Sequence, residues 1–255
     1  QEFKKNYKKN RADAKMLVSG FLTTYNKKSA LEVTKQELKE EYDKRWAAGG
    51  LAFLAAFSDI THNLDANKTA TKYIEDKIDE IVKNKKISEE LKPRSIVGCK
   101  RLVIESNYYD TFNKGNVELI NLKKNPISWI KRKGIDIEGI GEIDIDMIIL
   151  ATGFDAMTGA LNNINIIGKN NINLKDKWIN GPETYLGLAT NGFPNFFTIT
   201  GPGSPSVLTN MIPTIEQHVD WIAGCIRYIK TKSYHSIEAN RDAEIEWGKY
   251  NDKCA

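Results

Sequence analysis

Two adjacent cations, Lys100 and Arg101, follow the small residues Gly98 and Cys99. An arginine keeps its charge at any working pH and offers a fork of donors, while a lysine supplies a compact point charge. The pair therefore suits a phosphate group or an oxygen atom that gains negative charge during a reaction. A solvated basic pair at the start of a strand is the alternative interpretation, since most lysines and arginines lie at the surface.

A second candidate segment spans residues 146–155 and reads Asp-Met-Ile-Ile-Leu-Ala-Thr-Gly-Phe-Asp. Its apolar first half predicts a strand over residues 146–150 that is covered on both faces. The strand leads into Thr152 and Gly153, where small residues let the backbone approach a ligand and Gly153 can adopt a positive φ. A tight turn that is packed for its own sake explains the same pattern.

A third candidate segment spans residues 192–206, which read Gly-Phe-Pro-Asn-Phe-Phe-Thr-Ile-Thr-Gly-Pro-Gly-Ser-Pro-Ser, and continues to Asn210 and Met211. It predicts a strand over residues 196–200, a Gly/Pro loop and an amphipathic helix over residues 214–229. The expected buried stripe of that helix is Ile215, Val219, Ile222 and Ile226. Open α/β sheets bind ligands beyond the carboxyl ends of their strands. An ordinary loop between a strand and a helix is the alternative.

The elements that would position these segments differ along the chain. Residues 1–92 are predicted to be mainly helical. Thr34 and Glu37 have the spacing of a capping box, and Gly49 with Gly50 should end or bend the helix that it starts. Apolar residues at helical spacing predict another helix over residues 67–84. Further along, β-rich runs at residues 117–122 and 146–150 predict strands, and this order is typical of an α/β protein with a helical insertion.

Composition and charge exclude several classes of protein. The chain is 41% hydrophobic and 27% charged, with a net charge of only +4, which excludes a disordered tail and gives no sign of a nucleic-acid partner. The longest apolar stretch, residues 46–57, is too short for a membrane span, and no targeting signal is visible. We expect a reducing, cytoplasmic location and no metal site, because the cysteines and histidines are isolated: Cys99, Cys225, Cys254, His62, His218 and His235.

Taken together, the candidate segments resemble one family, the Baeyer–Villiger monooxygenases, in the style of phenylacetone and cyclohexanone monooxygenases. The resemblance extends from about residue 42 to Trp247 and is dense after Lys100. It rests on the pairs Lys100-Arg101, Tyr108-Tyr109 and Phe112-Asn113, on Ala-Thr-Gly-Phe-Asp-Ala-Met-Thr-Gly at residues 151–159, on Gly-Phe-Pro-Asn-Phe at residues 192–196, and on residues 201–206.

The resemblance implies an α/β fold that is part of a two-dinucleotide-binding-domain flavoprotein with a helical insertion. Residues 1–92 would be the insertion and flanks of an NADP domain, residues 93–152 the returning part of that domain, and residues 153–255 the C-terminal part of an FAD domain. It also implies the cofactors FAD and NADP(H), and the partners O2 and a small ketone. The implied reaction inserts one oxygen atom beside the carbonyl and gives an ester or lactone.

The resemblance also implies roles for individual residues. Arg101 would be catalytic, stabilising the negatively charged oxygenated flavin and its adduct with the ketone. Lys100 would contact NADP at its 2′-phosphate. The full set of implied cofactor-binding residues is Lys100, Arg101, Thr152, Gly153 and Met211. The implied substrate pocket consists of Pro205, Ser206, Val207 and Leu208.

Several family features are absent from the sequence. It contains no GxGxxG fingerprint, although the family has one for each cofactor, and no FxGxxxHxxxW signature. We therefore expect an internal fragment of a longer enzyme, which could fold poorly or aggregate alone. Two alternatives stay open: a related flavin monooxygenase that oxidises amines or sulfides, and an inactive truncated chain that serves as a helical interaction module.

Overall fold

The computed structural model describes residues 2–17, 19–204 and 209–254. The chain forms two compact units. The inner unit is Thr23–Ala151, and the outer unit combines Gln1–Leu22 with Thr152–Ala255.

Helices dominate the chain. The α-helices are α1 (Glu2–Lys5), α2 (Tyr7–Lys15), α3 (Lys35–Ala48), α4 (Leu64–Ile81), α5 (Lys85–Leu91), α6 (Tyr108–Thr111), α7 (Gly159–Asn162), α8 (Leu174–Lys177), α9 (Met211–Thr231) and α10 (Arg241–Cys254). Two 3₁₀ segments cover Gly50–Ala55 and Lys169–Asn171. The strands are β1 (Ile127–Ile130), β2 (Gly134–Ile137) and β3 (Gly141–Asp144).

Helix α3 begins and ends as the sequence predicts. The Thr34 side chain accepts a hydrogen bond from the Glu37 backbone N–H, and the Glu37 carboxylate accepts one from the Thr34 backbone N–H, so the capping box is confirmed. Gly49 ends the helix with a φ of 73°, a conformation that favours glycine. Helix α4 covers most of the predicted residues 67–84 and begins three residues earlier, at Leu64, because Asn63 caps it.

The core of the inner unit is an aromatic cluster between α3, α4 and the Gly50–Ala55 segment. Tyr42 is fully buried, and its ring stacks on Phe53 with centroids 5.3 Å apart. Phe57 meets the edge of the same ring, and Tyr73 packs on its other side. This cluster fixes the end of α3 against the start of the 3₁₀ segment.

A small antiparallel sheet follows the helices, in the order β1-β2-β3. Gly134 pairs with Asp144, and Ile137 pairs with Gly141. A Cβ atom on Gly134 would lie 2.3 Å from the carbonyl oxygen of Ile143, so the close approach of β2 and β3 requires glycine. The sequence analysis named no strand in this region.

The two strands predicted in the inner unit are wrong. Residues 117–122 and 146–150 form neither strand nor helix. The second run was expected to be covered on both faces, yet Met147 is 76% exposed and Ile149 is 81% exposed. A strand needs a hydrogen-bonded neighbour, and within the described ranges no segment pairs with either run.

The outer unit packs around Leu174, Trp178 and Phe193. The predicted strand over residues 196–200 is wrong, because only an isolated bridge joins Phe197 to Ala189. Helix α9 is confirmed and is longer than expected, but its predicted buried stripe is wrong: Val219 and Ile226 are exposed. The described part of the chain contains no helix that is both long enough and apolar enough to cross a membrane.

Candidate functional site

The inner unit contains a cavity of about 380 Å³ beside the end of α3. Trp46 and Phe53 line it, together with residues 95–98 and 100–105. Lys100 and Arg101 both lie on its wall, so the structure brings the two predicted cations to one concave site. Its volume is within the range of small-molecule sites, which combine an apolar lining with a few polar groups.

Asn67 holds the segment that leads into Lys100 and Arg101. Its Nδ2 donates hydrogen bonds to the carbonyl oxygens of Ile60 and Val97, at 2.9 and 2.8 Å. Its Oδ1 accepts a hydrogen bond from the Val97 backbone N–H at 3.2 Å. Asn67 and Val97 are both buried, so these bonds are shielded from water. The sequence pattern does not mark Asn67 as a site residue, because an asparagine within a helix usually lies at the surface.

Arg45 is a third cation on the cavity wall. Its side chain is only 8% exposed, and its Nε donates to Glu41 Oε1 at 2.6 Å. Arg45 is not among the site residues predicted from the sequence. A usable signal exists, since Leu38, Tyr42 and Arg45 recur at positions i, i+4 and i+7 and thus share the buried face of α3.

Tyr109 and Glu105 add a phenol and a carboxylate to the cavity wall near the two cations. Tyr109 lines the cavity, and its burial, together with the nearby Tyr108 and Glu105, raises the pKa of its phenol. Glu105 also lines the cavity and accepts a hydrogen bond from the Tyr108 backbone N–H at 2.5 Å. Tyr109 therefore stays neutral at physiological pH and can donate a hydrogen bond.

The other predicted site residues belong to the outer unit. Thr152 and Gly153 are exposed, and Gly153 has a φ of 86°, which confirms the predicted positive φ. No protein atom lies within 4 Å of a Cβ built on Gly153, so its face is open to a ligand. Met211 is the first residue of α9, whose start is capped by Asn210. Pro205, Ser206, Val207 and Leu208 lie outside the described residues.

Among the described residues, no three His, Cys, Asp or Glu side chains form a cluster that could hold a metal ion. His218 is buried in α9, and its Nδ1 accepts a hydrogen bond from the Thr200 backbone N–H at 3.0 Å. It is thus a satisfied core histidine, as expected. Burial lowers the pKa of His218. His62 and His235 are exposed.

No protein-family model matches the chain. Curated relatives do match it, among them three monooxygenases. The chain is 38% identical to a cyclohexanone 1,2-monooxygenase from Acinetobacter sp. over 97% of its own length and 45% of the relative's. It is 34% identical to a Baeyer–Villiger monooxygenase from Pseudooceanicola batsensis, over 96% of its own length and 45% of the relative's. It is 36% identical to a phenazine N-monooxygenase from Lysobacter antibioticus, over 86% of its own length and 40% of the relative's.

Solved structures of monooxygenases are also similar to the chain. A steroid monooxygenase bound to NADP matches with a TM-score of 0.91 and 44% identity, over 96% of this chain and 47% of that one. A structure of the monooxygenase OTEMO, in complex with FAD and NADP, matches with a TM-score of 0.93 and 32% identity, over 99% and 47%. The predicted fold, part of a two-dinucleotide-binding-domain flavoprotein, is confirmed. The chain is thus similar along nearly its whole length to Baeyer–Villiger monooxygenases, and it spans slightly less than half of the relatives' length.

Proposed function

We propose that this protein belongs to an enzyme system that converts a ketone, O2, NADPH and a proton into an ester or lactone, water and NADP⁺. The observation behind the proposal is the cavity that holds Lys100 and Arg101 beside Trp46 and Phe53. The names of the similar proteins support it, since they include cyclohexanone and Baeyer–Villiger monooxygenases. FAD and NADP(H) are the proposed cofactors, because similar structures contain them.

The residues present fit these cofactors. The cations Lys100 and Arg101 suit the phosphates of NADP, and we assign Lys100 to the 2′-phosphate. We assign Thr152, Gly153 and Met211 to FAD, since the open face of Gly153 permits close approach of a flat ring. When bound, FAD supplies the activation of dioxygen, and NADPH supplies the reducing electrons.

Arg101 is the proposed catalytic residue. Its permanent charge stabilises the negative charge that develops on oxygen when the carbonyl carbon becomes tetrahedral. Because a fixed guanidinium needs no proton transfer, this stabilisation persists across the working pH range. The pocket residues proposed for ketone selectivity are Pro205, Ser206, Val207 and Leu208.

The proposed domains follow from the same similarity. Residues 1–92 would be an insertion and flanks of the NADP domain, residues 93–152 its returning part, and residues 153–255 part of the FAD domain. We also propose a cytoplasmic location, where a reducing environment suits three unpaired cysteines.

The test uses the full-length protein. Ketone-dependent NADPH oxidation is measured with cyclohexanone, and the product is identified by mass spectrometry. Arg101→Ala should still permit flavin reduction by NADPH but should lower ester formation by about 100-fold or more. Arg132→Ala is the matched control, because Arg132 is an exposed cation between β1 and β2 of the same unit. Normal ester formation by Arg101→Ala would remove the assignment of Arg101.

A second candidate function is N- or S-oxidation, which the similarity to a phenazine N-monooxygenase favours. Product analysis separates the two functions. An ester from a ketone supports the first function, whereas an N-oxide or sulfoxide without any ester supports the second. Absence of all three products, in a protein that binds both cofactors, would contradict both.

A further inference from the structure

Arg45 has hydrogen-bonding capacity that the protein does not use. Its Nε donates to Glu41, while its Nη1 and Nη2 have no hydrogen-bond partner among the described residues. The fully enclosed side-chain atoms that lack a hydrogen bond in that part of the chain belong to Asn162 and Glu216, not to Arg45. The Nη atoms therefore reach accessible space, although the side chain as a whole is only 8% exposed. The space beside Arg45 is the cavity.

The charges on the cavity wall do not balance. Arg45, Lys100 and Arg101 are cationic, and Glu105 is the acidic residue on the wall. Glu41, which does not line the cavity, forms an ion pair with Arg45 and partly neutralises its charge. The remaining lining is mainly apolar and aromatic. Such a wall favours a small ligand that combines an anionic group with an apolar body.

We propose that Arg45 binds the anionic group of a small organic ligand, a carboxylate or a phosphate, inside this cavity. A guanidinium whose Nε is occupied still presents two Nη groups, which match the two oxygens of such an anion. The apolar body of the ligand then contacts Trp46 and Phe53. The Arg45 side chain is only 8% exposed, so little water can reach its Nη groups, and a bound anion would supply the partners that they lack.

This inference concerns binding, so it does not depend on the proposed oxidation. A carboxylate would come from an organic acid, and a phosphate from a nucleotide; the two probes below distinguish these sources. Arg45 would therefore extend the positive region of Lys100 and Arg101 to a second anchoring point in the same cavity. A purely structural Arg45–Glu41 ion pair is the competing explanation.

The test titrates two probes, 4-oxopentanoate and adenosine 2′-monophosphate, into the full-length protein by calorimetry. We expect at least one probe to bind, and Arg45→Gln to weaken that binding by about tenfold or more. Lys44→Gln is the matched control, because Lys44 is exposed on the same helix and contacts the same Glu41. It should change the affinity less than twofold.

Two further variants keep the test decisive if Arg45→Gln fails to fold. Arg45→Lys retains the positive charge but loses the paired Nη donors of the guanidinium, so binding of the probe should weaken. Glu41→Gln removes the competing carboxylate, so binding should tighten. Displacement of adenosine monophosphate by NADP⁺ would identify the dinucleotide as the phosphate source, while binding of 4-oxopentanoate alone would identify a carboxylate. Binding of neither probe, or unchanged affinity in folded Arg45→Gln, would overturn the proposal.

Discussion

Asn67 and Val97 are thirty residues apart in sequence and exchange two hydrogen bonds through one amide side chain. The Val97 carbonyl accepts from Nδ2, and the Val97 N–H donates to Oδ1. Both backbone groups of a residue that precedes the cations by only a few positions are thus satisfied by α4. The cavity wall is held in place by a helix, not by a sheet.

Replacing Asn67 should therefore loosen the cavity wall. Asn67→Ala leaves the buried N–H and C=O of Val97 without partners, which should cost about 2 kcal/mol of unfolding free energy. Urea unfolding followed by circular dichroism measures that cost. Asn121→Ala is the control, because Asn121 donates to Glu90 in a more exposed place. Equal losses for the two variants would contradict the special role of Asn67.

The Thr34–Glu37 capping box gives a second prediction. Thr34→Ala removes the acceptor for the Glu37 N–H and should destabilise the inner unit by about 1 kcal/mol. Hydrogen bonds from Thr34 and Lys28 lower the pKa of Glu37 from 4.5 to about 2. The contribution of Glu37 is thus fully present above pH 4.5 and is lost as the pH falls towards 2. Between pH 3 and pH 6, the unfolding temperature of Glu37→Gln should therefore change less with pH than that of the parent protein.

Local signals in the sequence were reliable because they depend on neighbours along the chain. The Thr34–Glu37 spacing, the helix-ending Gly49 and the positive φ of Gly153 are each determined within a few residues. For that reason, the ends of α3 were predicted correctly.

Signals that depend on distant partners were not reliable. Residues 146–150 have the composition of a buried parallel strand, but in the described structure no neighbouring strand covers them. Asn67 was missed for the same reason, since two of its hydrogen bonds join it to Val97, thirty positions away. Arg45 was missed although its spacing from Leu38 and Tyr42 places it on the buried face of α3. The cations Lys100 and Arg101 were found because they are adjacent in sequence.

His218 gives a prediction about pH. Burial lowers its pKa below the ordinary value of 6.5, so the unfolded chain binds a proton more readily than the folded one. The resulting stability is fully present above pH 6.5 and is lost as the pH falls through the lower, folded pKa. Unfolding midpoints between pH 5 and pH 8 should therefore depend less on pH in His218→Asn than in the parent protein. His235→Asn, an exposed control, should leave the dependence unchanged.

Glu244 gives a prediction about the outer unit. Its buried carboxylate accepts hydrogen bonds from Lys177 Nζ at 2.9 Å, Arg241 Nη1 at 2.7 Å and the Asn191 N–H at 2.8 Å. Glu244→Gln leaves Lys177, which is itself largely buried, without its counter-charge. The expected loss is about 3 kcal/mol of unfolding free energy. Glu246→Gln on the exposed side of α10 should cost far less, and a similar cost for both would refute the prediction.

The exposed run at residues 146–150 gives the last prediction. Met147, Ile149 and Leu150 are apolar and exposed, and the backbone between them forms no strand. An exposed apolar segment of high β-propensity tends to pair with another copy of itself. The 255-residue chain alone should therefore self-associate as its concentration rises, as light scattering can measure. Ile149→Lys should reduce that association because a charge resists burial, whereas Lys123→Ile, at an exposed site elsewhere in the inner unit, should not. Equal scattering by the parent chain and Ile149→Lys would show that association proceeds through another surface.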